Sequence, residues 1–112
     1  MQKSYRLKSR ASYNYIYRKG QSVAEKNTVL VYHKTQLPPK FGFSVTKKIG
    51  NAVIRNRIRR LLKEAVRSMI GSVDGGFNYI VVARPGITEL SLAEIKSELV
   101  ALFKKAGKYK EE

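Results

Sequence analysis

Few residues in this chain are of types that could cleave a bond or transfer a group. Its 112 residues include one histidine, His33, and no cysteine. Disulfides, thiolate metal sites and thiol nucleophiles are therefore excluded. Ahead of Asp74 the only carboxylates are Glu25 and Glu64, so the paired acids that hold divalent metals or shuttle protons in hydrolysis do not show in the sequence. Glu89, Glu94 and Glu98 fall on or beside the last helical pattern and read as solvated helix charges. His33 alternates with apolar neighbours on a strand, the setting of a structural histidine. The pair Gly75-Gly76 is not followed by the Lys and Ser or Thr of a phosphate-cradling loop. If the protein takes part in a reaction, another molecule carries the chemistry.

What the sequence does offer is a grip for a polyanion. Lysine and arginine number 23 against 8 acids, a net charge of +15, and the excess is segregated. Residues 1–19 hold six basic residues and no acid, and residues 47–67 hold eight basic residues against Glu64 alone. Residues 68–112 are balanced, six against six. Charge spread for solubility has no reason to cluster in this way, whereas a protein with one face turned to nucleic acid does. Within the second block the run Arg55-Asn56-Arg57-Ile58-Arg59-Arg60 sets forked guanidinium groups, which grip phosphates, around an amide that can read a base or sugar edge. Almost no acids are available to pair with these arginines, and like charges four apart on a helix repel. Within the first block Tyr13 and Tyr17 stand four apart, bordered by Arg10, Arg18 and Lys19. Rings beside cations suit unpaired bases, which stack on them at about 1 to 3 kcal/mol each.

The elements that must position these groups follow from periodicity. Tyr13, Ile16 and Tyr17 share one face of a short helix from Ser9 to Arg18, ended by Gly20. Two strands are expected at Gln21 to Glu25 and Thr28 to Lys34. A loop containing Pro38 and Pro39 leads to a third strand, Phe41 to Thr46. Its Phe41, Phe43 and Val45 make an apolar face, and Gly42, Ser44 and Thr46 make a small, polar face open to a ligand. The turn Lys47 to Gly50 and a cap at Asn51 start a long helix from Ala52 to Ile70. Ile54, Ile58, Leu61, Leu62, Ala65, Val66 and Met69 trace its buried stripe. Its exposed side is centred on Asn56, Arg60, Lys63 and Arg67, with Arg55 and Arg59 on one edge and Arg57 on the other. A strand at Asn78 to Ala83 follows, and a capping box at Ser91 and Glu94 opens a last helix to Lys105. The order α-β-β-β-α-β-α implies one domain over 1–112, an α+β two-layer sandwich with a mixed sheet of about four strands packed by the two longer helices.

The run from Lys47 through Arg60 resembles the signature of the bacterial ribonuclease P protein component, whose RNR motif sits on a long helix. The resemblance extends to Arg6-Leu7-Lys8 with Tyr13, Tyr17 and Gly20, to Ser22-Val23-Ala24, and to Ile80-Val81-Val82-Ala83-Arg84 with the final amphipathic helix. It implies a subunit that binds a large catalytic RNA and helps it remove the 5′ leader of precursor tRNA. It further implies a fold like domain two of a small-subunit ribosomal protein, with a left-handed βαβ crossover. Carried over residue by residue, Lys47, Lys48, Arg55, Asn56 and Arg57 would contact the catalytic RNA together with Arg59, Arg60 and Lys63, and Arg67 continues that face. Tyr13 and Tyr17, with Arg10 and with Val31, Ser44 and Thr46 from the sheet, would form the leader cleft. Relatives commonly carry Phe at the two tyrosine positions and often an aromatic residue where this chain has Val31, so the stacking platform is expected to differ in detail.

On this reading the protein is a cytoplasmic monomer by itself, and its partners are ribonuclease P RNA and precursor tRNA. It binds no cofactor alone, and magnesium belongs to the RNA of the holoenzyme. No apolar run approaches the roughly 18 residues of a membrane span, and the opening MQKSYRLKSR carries no apolar signal core. A structural ribosomal protein accounts equally well for charge and size. A DNA-binding or membrane-surface protein fits less well, because neither a sequence-reading helix pair nor an aromatic-rich interfacial face is visible.

Overall fold

The computed structural model describes residues 5–110; Lys3, counted in the N-terminal charge, lies outside them. The elements run α1 (Arg10–Lys19), β1 (Gln21–Ala24), β2 (Thr28–Lys34), β3 (Phe41–Ser44), α2 (Ala52–Met69), β4 (Phe77–Ala83) and α3 (Leu92–Lys105). This is the expected order, with ends shifted by one or two residues. The third strand stops at Ser44 rather than Thr46 because the Thr46 carbonyl accepts the Ile49 N–H at 3.0 Å, closing a turn instead of continuing a ladder. Helix starts follow their caps. Ser9 accepts from the Ser12 N–H, Asn51 accepts from Ile54 N–H, and Ser91 and Glu94 complete the reciprocal capping box. Hydrogen bonds from the Ser91 backbone and side chain hold the Glu94 carboxyl below the usual carboxylate range.

The four strands form one sheet in the order β1-β2-β4-β3. All neighbours are antiparallel except β3 and β4, which are parallel and joined by α2 as the crossover. The sheet is mixed, with α2 and α3 packed on one face, an α+β arrangement. Because side chains alternate across a strand, the register Leu30↔Val81 and Val31↔Ile80 sends two different sets to the two faces. Leu30, Tyr79 and Val81 meet Ile58, Leu62 and Val66 of α2 and Leu99 and Phe103 of α3 in the main core. Tyr79 is its centre, stacked on Phe41 at 5.3 Å and edge-on to Phe103 at 5.1 Å, contacts worth about 0.5–1.5 kcal/mol each beyond area burial. Its hydroxyl donates to the Asp74 carbonyl at 2.5 Å. Burial, with the charges of Asp74 and Tyr32 as lesser causes, pushes that phenol well above its ordinary pKa, so it stays a neutral donor. The opposite face holds a smaller cluster in which Val31 and Ile80 are covered by Leu7 and by Ile16 of α1.

One acid departs from its expected role. Glu98 is not a solvated helix charge. Its carboxylate accepts the Asn27 backbone N–H at 3.2 Å, the Asn27 side-chain amide at 2.9 Å and a short hydrogen bond from the Thr28 hydroxyl. Asn27 and Thr28 are the two buried polar residues of the described chain. Asn27 precedes β2 and Thr28 opens it, and Glu98 ties that strand to α3. Glu98→Ala is expected to lower the free energy of unfolding by about 1–3 kcal/mol, the cost of leaving buried donors unsatisfied, and Glu98→Gln by less. Urea denaturation of the three proteins checks the order.

Candidate nucleic-acid interface

Helix α2 carries a cationic surface because its apolar stripe is used up in the core. Ile58, Leu62, Ala65, Val66 and Met69 are buried, while Asn56, Arg57, Arg60 and Arg67 are exposed. Gly50 precedes the helix cap at φ +156°, a conformation side chains rarely adopt, and a Cβ there would meet Ile54 at 3.1 Å. The first turn of α2 has no acid, so its unsatisfied N–H groups and Arg55 and Arg57 add to one positive potential. Lys47 and Lys48 are exposed in the turn just before it. The guanidinium of Arg59 donates to Asn56 Oδ1 at 3.0 Å and to the Val45 carbonyl at 3.4 Å, which orients both side chains before any ligand arrives. The Nε of Arg55 is buried without a partner. Arg57, Arg60 and Lys63 make no ion pair among the described residues. Arg67 differs from its neighbours. It forms a two-pronged pair with Glu64 at 2.6 and 3.1 Å, which raises the arginine pKa and lowers that of the acid. Its charge is therefore partly committed within the helix.

The second group of expected residues lies where α1 crosses the sheet. Tyr13 is half-buried, Ile16 is buried and Tyr17 is 43% exposed, so the three do not share one environment. Tyr13 lies flat against Gly42, where a Cβ would come within 2.7 Å of the ring. The glycine is what permits this approach. The Tyr13 hydroxyl accepts the Phe43 N–H at 3.2 Å, satisfying a donor of edge strand β3 that a phenylalanine could not reach. The small, polar face of β3 is thus only partly open. The pairings Ala24↔Val29, Val29↔Val82 and Ser44↔Val82 define a row across the sheet, and its members are half-buried or exposed. This row is the accessible floor. Val31, expected as a sheet contributor, is buried under Leu7 and Ile16 and supports the floor from within. Ser44 lies on the floor, Thr46 is exposed in the turn beyond it, and Arg10 is exposed at the start of α1.

The two groups meet. A cleft of ≈ 360 Å³ brings Tyr13 together with Arg59 and Lys63 of α2, and Arg6, Lys8 and Phe43 complete its wall. Arg6 and Lys8 belong to the Arg6-Leu7-Lys8 motif, to which local pattern gives no role. They are drawn in because Arg6 bridges Phe41 in parallel and the Leu7 N–H donates to the Phe41 carbonyl at 2.9 Å, a non-local pairing that local periodicity does not reveal. Arg6 Nε is buried in the protein without a hydrogen-bond partner. Among the described residues no three His, Cys, Asp or Glu side chains are grouped to hold a metal ion, and no helix is long and apolar enough to cross a membrane.

Comparison with known proteins follows the same lines. The family model described as Ribonuclease P matches residues 1–107. The chain is similar to the ribonuclease P protein component of Brevibacillus brevis, 39% identical over 108 residues that span 95% of this chain and 86% of the relative. It superposes on the RNase P protein of Staphylococcus aureus with a TM-score of 0.87 at 32% identity, covering 96% of this chain and 100% of the other. The RNase P protein from Thermotoga maritima gives a TM-score of 0.82 at 25% identity, over 89% of this chain and 96% of that one.

Gly42→Ala should displace the Tyr13 ring and cost about 1–3 kcal/mol of stability, as overpacking does; thermal unfolding and the fluorescence of the displaced tyrosine check it. Glu64→Gln should release Arg67 to phosphates and steepen the salt dependence of RNA binding by about 0.7–0.9 per new contact, read from affinities measured over a range of salt concentrations.

Proposed function

Because the chain belongs to the ribonuclease P protein family, we propose that it is the protein subunit of a cytoplasmic ribonuclease P. In this role it binds the catalytic RNA through the exposed face of α2 and the Lys47-Lys48 turn. It binds the 5′ leader of precursor tRNA along the strip between α1 and the sheet, and so assists endonucleolytic removal of that leader. The observation that carries the reading is the meeting of two surfaces in one cleft. Tyr13, a ring on the leader side, shares a wall with Arg59 and Lys63, cations on the catalytic-RNA side. A strand stacked on the first is held against an RNA bound to the second.

The protein's contribution is electrostatic and positional. Each phosphate neutralised by Arg57, Arg60 or Lys47 releases condensed counterions, which favours binding most at low salt. Two RNAs repel each other through their phosphates, and a cationic wedge between them offsets that repulsion, so less magnesium is needed to bring substrate to catalyst. The magnesium and the bond-breaking chemistry belong to the RNA in this reading. Arg59 enters the interface already oriented by Asn56, so less side-chain freedom is lost on binding. Tyr17, being exposed, offers its ring to a leader base, while the Tyr13 ring is held in a position set by Gly42 and Phe43.

Multiple-turnover cleavage of a 5′-extended precursor tRNA by the cognate catalytic RNA at low magnesium, with and without the protein, tests the proposal. Strong stimulation at the mature 5′ end is expected. An absence of stimulation, with the RNA active at high magnesium, would leave a structural ribosomal protein as the reading. Arg60→Ala should weaken affinity for the catalytic RNA and reduce the salt slope by about 0.7–0.9. Tyr17→Ala should spare that affinity and weaken binding of long-leader substrates by about 1–3 kcal/mol. Equal losses on both ligands for both variants would remove the two-surface arrangement.

A further inference from the structure

Helix α1 divides the sheet face it crosses, and its flank away from Tyr17 leads over His33 to the end of the sheet, where further rings and cations gather. Tyr15 projects from this other flank. It is 46% exposed, and its ring stands edge-on to His33 of β2 at 5.2 Å and 85°. The contact with a strand side chain holds the ring upright, while the exposed guanidinium of Arg18 lies loosely over it at 5.8 Å. Beside His33 opens a second cleft of ≈ 380 Å³, whose wall includes Lys19, Lys34 and Lys108 with Phe77. No carboxylate lines it, and none of the three lysines pairs with an acid among the described residues. The ammonium of Lys108 is held 3.8 Å over the Phe77 ring and 5.7 Å from that of Tyr32. The backbone of Lys108 is anchored separately, donating to the Phe103 carbonyl and accepting from the Asp74 N–H. The ammonium is therefore held in place on an aromatic support, with N–H donors left for an anion.

We propose that this flank of α1, together with the sheet end that His33 joins to it, is a second site for single-stranded RNA, in which a base stacks on Tyr15 and the adjoining phosphates lie on Lys19, Lys34 and Lys108. The chemistry of the wall selects the ligand. Three ammonium groups that pair with no acid among the described residues attract an anion of any kind, but an exposed ring joined to their cleft through His33 adds affinity only if the anion brings a planar base. A double helix keeps its bases stacked inside and offers no face to Tyr15. When a base arrives, Arg18 can leave the ring for a phosphate, so its charge stays in use. This site goes beyond the function proposed above. It lies on the far flank of α1 from Tyr17, so a strand held there is a different segment from one lying on Val29 and Val82.

The test is photocrosslinking of the full chain to a short thiouridine-substituted oligouridylate, with adducts mapped to residues. Adducts at Tyr15 or His33 are expected, in addition to any at Tyr13 or Tyr17. Lys34→Glu should reduce the Tyr15 and His33 adducts at least about 5-fold while leaving those at Tyr17 unchanged. Tyr15→Ala should weaken oligouridylate binding at this site about 5-fold or more, the loss of one stacked base. Both positions are exposed, and circular dichroism of the variants confirms that the fold is kept. Adducts confined to Tyr13, Tyr17 and α2 would overturn the proposal, as would Tyr15 adducts insensitive to Lys34→Glu. So would unchanged binding by Tyr15→Ala, which would leave a phosphate-only patch. Stimulation of precursor tRNA cleavage is read separately, and its presence or absence does not decide this second site.

Discussion

Helix α2 has to meet two demands with one 3.6-residue period, and the rest of the molecule is arranged around that. Its buried stripe, Ile58, Leu62, Ala65, Val66 and Met69, must face the sheet. That requirement alone turns Asn56, Arg57 and Arg60 to the outside. Rotation of the helix by one residue would bury a guanidinium, at a cost of several kcal/mol, so core packing and the direction of the cationic face cannot be varied independently. The absence of acids in the first turn works against the helix dipole and lowers local stability, and the Asn51 cap offsets part of this. The surplus stability comes from elsewhere, from the aromatic stack of Phe41, Tyr79 and Phe103 and from the Glu98 tie between β2 and α3.

The two sheet faces divide labour. One is closed by two long helices and holds the large side chains. The other is crossed by α1, a ten-residue helix with Ile16 as its one buried residue. Full burial of a side chain of this kind is worth about 1.5–3 kcal/mol, so α1 is a light cover over a firm floor. The proposed RNA surface thus has a floor that belongs to the packed sheet, while the rings of Tyr13 and Tyr17 sit on a lightly buried helix. Tyr13 is the exception, clamped by Gly42 below and by the Phe43 N–H at its hydroxyl.

Much of this was legible in the residues because it depends on local pattern. The period of α2, its cap and its missing acids predict a cationic helix face, and the structure carries one. The capping box at Ser91 and Glu94 and the order of strands are legible for the same reason. What local pattern could not show depends on contacts between distant segments. Val31 alternates properly for the α1 face of the sheet, but only the arrival of Leu7 and Ile16 above it determines that it is buried. Glu98 has the spacing of an exposed helix charge, and only the placement of Asn27 beside it, 71 residues away, gives it buried donors. Arg6 joins the cleft through a bridge to Phe41 that no periodicity announces. Tyr15 stands outside the i, i+4 pair Tyr13 and Tyr17, and only the pairing of distant strands sets His33 beside it.

The position of β4 in the sheet has a consequence for the order in which the molecule comes into being. β4 lies between β2 and β3, yet it is the last strand to leave the ribosome. Until residues 77–83 emerge, β3 has only the bridge from Arg6 to Phe41 to pair with, and α1 has no Ile80 to sit on. The arginine-dense helix is therefore synthesised before β3, whose Phe41 and Phe43 wall the cleft, takes its place in the sheet. Long-range pairing of this kind is slow compared with helix formation. The late insertion of one central strand thus gives the surface its shape, bringing the wall of Phe41 and Phe43 to the cations of α2.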